Sequence, residues 1–375
     1  MCGIAGLISN EYINPTLIRS MATTIKHRGP DDEGYIFITD NNILSAGGDD
    51  TLEKVWNSNL LYSPTNHISS LGDQKFKVAL GHRRLSILDL SPAGHQPMSD
   101  ETRRVWIVYN GEIYNYLELR EELKQKGFKF TTNTDTEVLL KSYIEWGTDC
   151  VNRFNGMWAF AILDLGKSTL FLSRDRFGVK PLYFYKDENY FAFASEIKAL
   201  LTVSFIKREV NYEAVFDYLA FGWEEEGEDS FFSGIRELKS SHNMIVNLNN
   251  REVKLYQYYE LSYFDKFEKY SLDKERQHVL RVRELIFNAV RLRLRSDVKV
   301  GSCLSGGVDS STIVCVMNEI IKNEKVSQVG DFIKCFTASY TDGKVDESNW
   351  AKVVIENTNS EWIRTFPTEK ELLED

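Results

Sequence analysis

The chain begins Met1-Cys2-Gly3-Ile4-Ala5-Gly6. A cysteine directly behind the initiator methionine becomes the N-terminal residue once that methionine is removed, so a thiol and a free α-amine share one residue. The amine titrates near pH ~8 with the thiol close to it, so proton transfer between them at neutral pH is nearly balanced and needs no histidine. Such a residue is a nucleophile carrying its own base. Gly3 and Gly6 are expected to let backbone approach the reacting carbon. The same hexapeptide also suits a buried strand, Ile4 to Ile8, in which the cysteine is a small apolar residue, and the hexapeptide alone does not choose.

Three further stretches carry groups that recognise charge. Gly81-His82-Arg83-Arg84-Leu85-Ser86-Ile87-Leu88-Asp89 ends a strand with two adjacent arginines on opposite faces. Arg83 is expected in solvent, and the fork of Arg84 suits a carboxylate, whether a ligand's or a structural partner's. The strand Val105 to Tyr109 delivers Asn110-Gly111-Glu112, after which Asn115 opens a helix with Glu118 in capping-box position and Gly127 closing it. An asparagine amide followed by a glycine N–H offers two neutral donors to an oxyanion, and the same dipeptide is a common turn. Asp135, within Asn133-Thr134-Asp135-Thr136-Glu137, either caps the next helix or holds a substrate ammonium, and spacing does not decide.

A second kind of chemistry is written in Ser305-Gly306-Gly307-Val308-Asp309-Ser310-Ser311, between an apolar strand, Val298 to Leu304, and a helix continuing through Met317. Two glycines bare backbone N–H groups, three serines add donors, and a helix N-terminus adds partial positive charge, which together make a phosphate cradle. The lysine-bearing GxxxxGK[ST] loop is absent.

The elements that must position these groups fit 375 residues, enough for two or three domains. With 42% hydrophobic and 27% charged residues and a formal charge of -10, the chain reads as an ordinary globular protein and not as a binder of nucleic acid or anionic membrane. Five cysteines without ligand spacing suggest neither a disulfide framework nor a zinc site, and a reducing cytoplasm fits them. No apolar run approaches the ~20 residues that span a bilayer. Residues 40–75 read as an excursion off a strand, 206–265 as a connecting region with an acidic turn at 224–229, and 274–294 as a helix with a basic, solvated face. Strand, helix, strand, helix and strand then alternate from residue 298 to residue 366, which predicts a doubly wound parallel sheet.

Taken in order, Cys2-Gly3-Ile4, His27-Arg28-Gly29-Pro30-Asp31, Arg84-Leu85-Ser86-Ile87, Asn110-Gly111-Glu112-Ile113-Tyr114-Asn115, Asp135 before Glu137, Ser173-Arg174-Asp175 with Gly178 and Pro181-Leu182-Tyr183, and Ala194-Ser195-Glu196-Ile197-Lys198-Ala199 resemble the glutaminase half of glutamine-hydrolysing asparagine synthetases. The 305–311 loop resembles the pyrophosphate-binding loop of enzymes that split ATP into AMP and pyrophosphate. The resemblance implies an α+β four-layer αββα N-terminal-nucleophile amidotransferase domain over 2–205, the connecting region 206–265, and over 266–375 the N-terminal part of an α/β synthetase domain, incomplete because the family's later strands and its second acidic ATP/metal segment have no counterpart before Asp375. It implies that Cys2 attacks the carboxamide of glutamine, that Asn110 and Gly111 form the oxyanion hole, that Arg84 through Leu88 (Leu85, Ser86, Ile87 between) bind glutamine with Arg84 on the α-carboxylate, and that Glu112 and Asp135 hold the α-ammonium. It implies ATP at Leu304, Ser305, Gly306, Gly307, Asp309, Ser310, Ser311 and Ala338, Mg2+ at Asp309, aspartate activated as an acyl-adenylate, and a homodimer as a compatible assembly. A glutaminase with an inactive synthetase half, and amide or lactam closure on another acceptor, are the alternatives it leaves.

Overall fold

The computed structural model describes residues 1–39, 42–223, 227–263, 266–324, 326, 329–330, 332–340, 346–368 and 370–371. The acidic turn at 224–229 lies partly outside these residues, as do residue 265 and Asp375. The chain divides into two compact units, Met1–Ser262 and Tyr263–Asp375.

The first unit is built on strands β1 (Gly3–Ile13), β2 (Asp32–Ile38), β3 (Ile43–Gly47), β4 (Asn66–His67), β5 (Phe76–Arg84), β6 (Met98–Ser99) and β7 (Val105–Ile113). It continues with β8 (Gly156–Asp164), β9 (Thr169–Arg174), β10 (Tyr183–Lys186), β11 (Tyr190–Ala194), β12 (Ile235–Glu237), β13 (His242–Asn247) and β14 (Val253–Gln257). They form an eight-stranded sheet, β12-β10-β11-β1-β5-β2-β3-β4, and a six-stranded sheet, β14-β13-β9-β8-β7-β6. All pairings are antiparallel except β3 with β4.

One face of each sheet packs against the other. Ile4, Ile8, Ile36 and Leu80 meet Val108, Phe160 and Ile162 in a single buried cluster, which also takes in Leu119 and Leu123 of α3 (Tyr116–Gln125) and Val138, Leu139 and Tyr143 of α4 (Asp135–Trp146). On the outer face of the larger sheet, Ala5, Leu7, Tyr35 and Phe37 pack with Ile18, Met21 and Ala22 of α1 (Pro15–Thr24) and with Ala199 and Leu200 of the helix Ile197–Leu200. Both sheets are thus buried on two sides, giving the layer order helix, sheet, sheet, helix. The strands near residues 235–257, expected within a connecting region, belong to these sheets. The excursion at 40–75 likewise adds β3 and β4 to the larger one, with the short helix α2 (Glu53–Trp56) between them in sequence.

That double cover corrects the placement of Arg83. Strand alternation sends Arg83 and Arg84 to opposite faces of β5, but β5 lies between β1 and β2 and every residue from Val78 to Arg84 is buried. Arg83 is only 2% exposed and pairs with Glu33 at 3.0 Å and Asp50 at 2.7 Å. Gly6 is corrected too: a Cβ there would stand 2.1 Å from the Phe193 ring, so packing of β1 on β11 requires the glycine, not approach to a substrate. The capping box at Asn115 does not form. Its side chain instead accepts from Asn155 N and donates to Arg153 O, tying α3 to the start of β8.

The second unit holds the helix Leu272–Arg293 and three parallel strands, Gly301–Cys303, Ile333–Ala338 and Ser360–Thr365, in sequence order. The crossover helices are Val308–Asn323 and Ser348–Asn357. Double winding needs helices on both faces of the sheet. Here Ile333 and Cys335 pack with Val314, Met317, Ile320 and Ala351 of the two crossover helices, while Lys334, Phe336 and Ala338 are exposed, so among the described residues the helices cover one face. Consecutive strand order with crossovers of one hand gives that result. No helix among the described residues is long and apolar enough to cross a membrane.

Candidate active site

A cavity of about 180 Å³ in the first unit is lined by Cys2, Arg84, Leu85, Ile87, Leu88, Asn110, Gly111, Glu112 and Asp135. These residues come from the start of β1, the end of β5 and the loop after it, the end of β7, and the first turn of α4. Ser86 is not among the lining residues; its N–H is held at 2.7 Å by the Asp31 carboxylate, which anchors the loop. A larger hollow of about 770 Å³ in the second unit, walled by Val279, Val282, Ile286 and Phe287, has no cysteine among its lining residues.

The sulfur of Cys2 accepts from Leu85 N at 3.3 Å and donates to Leu85 O at 3.6 Å, so the loop after β5 fixes the thiol. Arg28 holds the Cys2 carbonyl at 3.0 Å and is itself paired with Glu196 at 2.8 Å, while Ser195 Oγ accepts Ile4 N at 3.0 Å. The motifs around residues 28 and 195 therefore serve to clamp the N-terminal strand. Burial pushes the Cys2 thiol up from its ordinary range, with the Leu85 hydrogen bond opposing that shift. Burial also lowers the pKa of the Met1 amine.

Arg84 lies 4% exposed and spends its fork on the loop that follows it, donating to Ser91 O at 3.2 Å, Leu88 O at 3.1 Å and Asp89 O at 2.5 Å. Asp135 is not the cap of its helix. Thr134 is, accepting from Glu137 N at 3.1 Å, which frees the Asp135 carboxylate to accept from Tyr109 Oη and Ile113 N, both at 2.9 Å. Burial raises the Asp135 pKa, and those two hydrogen bonds only partly offset it. Asn110 is 1% exposed, and neither its amide nitrogen nor its amide oxygen has a hydrogen-bond partner among the described residues. A buried amide left this way costs about 1–3 kcal/mol, which a ligand's oxygen would recover.

Sequence reading missed Gln96, Tyr109, Thr136, Met157 and Lys180, which also line the cavity. Tyr109 and Thr136 adjoin Asn110 and Asp135, so neighbourhood was a usable signal for them. Gln96 was not findable locally: its side-chain oxygen accepts Tyr109 N at 2.8 Å across thirteen residues. Lys180 is 4% exposed, and burial lowers its ammonium pKa, opposed by the charge of Glu112.

In the second unit, the 305–311 loop runs from the strand Gly301–Cys303 into the helix Val308–Asn323. Leu304 is buried and donates its N–H to Phe336 O at 2.8 Å. Its carbonyl accepts from Thr337 Oγ1 at 2.6 Å, next to Ala338. Gly306 has φ 96°, and a Cβ there would meet Ala351 N at 2.6 Å, so only glycine fits. Ser305 Oγ and Ser310 Oγ stand 3.0 Å apart, and Gly307 caps the helix without a side-chain hydrogen bond. This donor set fits a phosphate. Asp309 is exposed at the first turn, and no group of three metal-ligating side chains occurs among the described residues. A single carboxylate is enough where Mg2+ is shared with phosphate oxygens.

A thiol on a clamped N-terminal strand, opposite charges across one small cavity, and two sheets layered between helices define a class II glutamine amidotransferase. Residues 69–259 match the family described as glutamine amidotransferase domain, and residues 281–375 match asparagine synthase, so the chain belongs to the glutamine amidotransferase family and carries asparagine synthase sequence behind it. It is 40% identical over 375 residues to "Putative asparagine synthetase (glutamine-hydrolyzing) 2" of Methanocaldococcus jannaschii, covering 95% of this chain and 63% of that protein. It is 32% identical to "Asparagine synthetase (glutamine-hydrolyzing) 1" of Bacillus subtilis, over 94% of this chain and 50% of the relative. "Amidase chry2" of Gibberella zeae is 35% identical over 73% of this chain and 41% of its own length. The chain thus spans between two fifths and two thirds of the length of these relatives.

Proposed function

We propose that Cys2 hydrolyses glutamine to glutamate and ammonia, and that the ammonia amidates a carboxylate activated with ATP, by family the side chain of aspartate, giving asparagine. The observation that carries the glutaminase reading is the Asn110 amide, without a partner among the described residues, in the same cavity as the Cys2 thiol, a buried arginine and a buried carboxylate.

With Met1 removed, the α-amine of Cys2 takes the thiol proton as sulfur bonds to the carboxamide carbon. Because burial keeps the thiol protonated, that transfer accompanies attack. The oxygen of the tetrahedral adduct gains charge and accepts from Asn110 Nδ2 and Gly111 N–H. The new ammonium returns its proton to the departing nitrogen, the C–N bond breaks, and ammonia leaves a thioester. Water, deprotonated by the same amine, then releases glutamate and restores the thiol. Arg84 holds the α-carboxylate, and Glu112 and Asp135 hold the α-ammonium. Retained Met1 turns the Cys2 nitrogen into an amide and removes the base.

When bound, ATP supplies activation of the acceptor carboxylate. Ser305, Gly306, Gly307, Ser310 and Ser311 would hold its phosphates, with Leu304 and Ala338 in the nucleotide set and Asp309 for Mg2+. The test is glutamate release from glutamine by the purified chain, followed by assay of asparagine, AMP and pyrophosphate with aspartate and ATP added. Equal yields of the three products support the full reading. Absence of glutamate release from protein lacking Met1 contradicts its first half.

A further inference from the structure

Asp89 joins the two charged poles of the cavity, and no part of the reaction above uses it. It lies in the loop after Arg84 with φ 52°, a left-handed conformation that aspartate and asparagine tolerate better than most residues. Its main-chain carbonyl accepts from Arg84 Nη2 at 2.5 Å. One carboxylate oxygen accepts from Ser91 N at 3.1 Å and from Ser91 Oγ; the other accepts from Asn133 N at 2.9 Å.

Asn133 belongs to the other pole. It precedes Thr134, which caps α4, and Asp135 is the first residue of that helix. The segment before it is gripped from the helix side, where the Glu137 carboxylate accepts from Thr131 N at 3.0 Å and Thr132 N at 2.7 Å. Asp89 grips the same segment from the Arg84 side. One residue therefore orients the guanidinium with its backbone and the Asp135 loop with its side chain. Burial tends to raise the Asp89 carboxyl, but the hydrogen bonds from Ser91 and Asn133 outweigh burial and hold it below its ordinary range, so it is ionised wherever the site would work.

We propose that Asp89 is a positioning residue that sets the spacing between Arg84 and Asp135 and so makes the cavity selective for an α-amino acid zwitterion. The proposal rests on the Cys2 site being the glutamine site. The carboxylate and ammonium of glutamine sit on the same carbon, so a small change in the distance between their partners breaks one contact or the other. A substrate with one charge, such as glutaramate, which lacks the α-ammonium, needs only one pole and is indifferent to the spacing.

The variant is Asp89→Asn, which keeps the backbone preference but faces an NH2 toward either Asn133 N–H or Ser91. For glutamine, KM should rise about tenfold or more with kcat within about twofold, and the preference for glutamine over glutaramate should shrink by a similar factor. Ser91→Ala, which leaves the Asn133 bond in place, should change KM much less. An unchanged KM, or a fall in kcat with KM and the glutaramate ratio unmoved, overturns the proposal. Hydrogen exchange on the unsubstituted protein covers the case of a variant that fails to fold. Added glutamate should slow exchange in residues 88–91 and at Asn133 together, and a response in only one loop overturns the coupling. If the unsubstituted protein releases no glutamate, the function proposed above falls, whereas an active protein indifferent to Asp89→Asn removes only this role.

Discussion

Around Cys2, seven separate stretches of chain contribute to one cavity, and Arg84 and Asp135 are held by neighbours before any ligand arrives. Around Gly306, a single strand, loop and helix supply the whole donor set, and Ser305, Gly307 and Asp309 are exposed. The first arrangement desolvates its groups, so the Cys2 thiol and Asp135 are pushed up and the Lys180 ammonium down, each by burial. The second depends on backbone shape. Chemistry at the first site should therefore respond to single charges and atoms, and binding at the second to the conformation of one glycine.

The largest effect should come from Cys2→Ala, which removes the sulfur and should lower glutamate release by about 10^4-fold or more with the thermal midpoint nearly unchanged. Asn110→Ala comes next. Loss of one oxyanion donor should cost about 10^2–10^3 in kcat. Because the amide has no partner among the described residues, the thermal midpoint should not drop by more than the small volume change requires; a large drop would mark Asn110 as structural.

Asp135 sharpens the contrast through pH. Its carboxyl is raised by burial, so on acidification it protonates at a higher pH than an ordinary carboxylate, and the neutral form cannot pair with an ammonium. The KM for glutamine should rise as pH falls, beginning above the usual carboxylate range near ~4. Asp135→Asn should raise KM and flatten that limb. The stability sign is opposite: between the ordinary and raised values the folded state binds the extra proton, so protonating Asp135 favours folding. A KM limb at the ordinary carboxylate pKa contradicts the placement of Asp135 in a desolvated site.

Gly306→Ala should leave glutamine hydrolysis where it was. It should destabilise the second unit by about 1–3 kcal/mol and abolish ATP protection of the 305–311 loop from proteolysis, because φ 96° and the contact with Ala351 N both exclude a side chain. Intact ATP protection would show that the loop's shape is not what binds.

The two sites were not equally legible in the sequence. The phosphate loop is local, so its strand, glycines and helix could be read directly from seven consecutive residues. At the Cys2 site the residues that share the cavity were legible through their motifs, but not what surrounds them. Period-two alternation correctly put Arg83 and Arg84 on opposite faces, yet it could not tell that helices and a second sheet cover both faces of β5. Asp89, Gln96 and Lys180 were invisible for the same reason: each acts across the fold, through contacts with no local signature. The winding of the second unit's three-stranded sheet differs from the expected one, because alternating strands and helices do not say on which face the helices lie.

Whether the small cavity or thiol exposure determines reactivity is decided by labelling with a glutamine-shaped electrophile, a 6-diazo-5-oxo amino acid whose ketone stands where glutamine has its carboxamide carbon, followed by peptide mass mapping. Cys303 and Cys315 are exposed, Cys150 and Cys335 are buried, and Cys2 is half-buried. In protein lacking Met1, one adduct on Cys2 that glutamine prevents is the predicted result. Labelling that follows exposure, with Cys303 and Cys315 modified and Cys2 untouched, would contradict a nucleophilic role for Cys2.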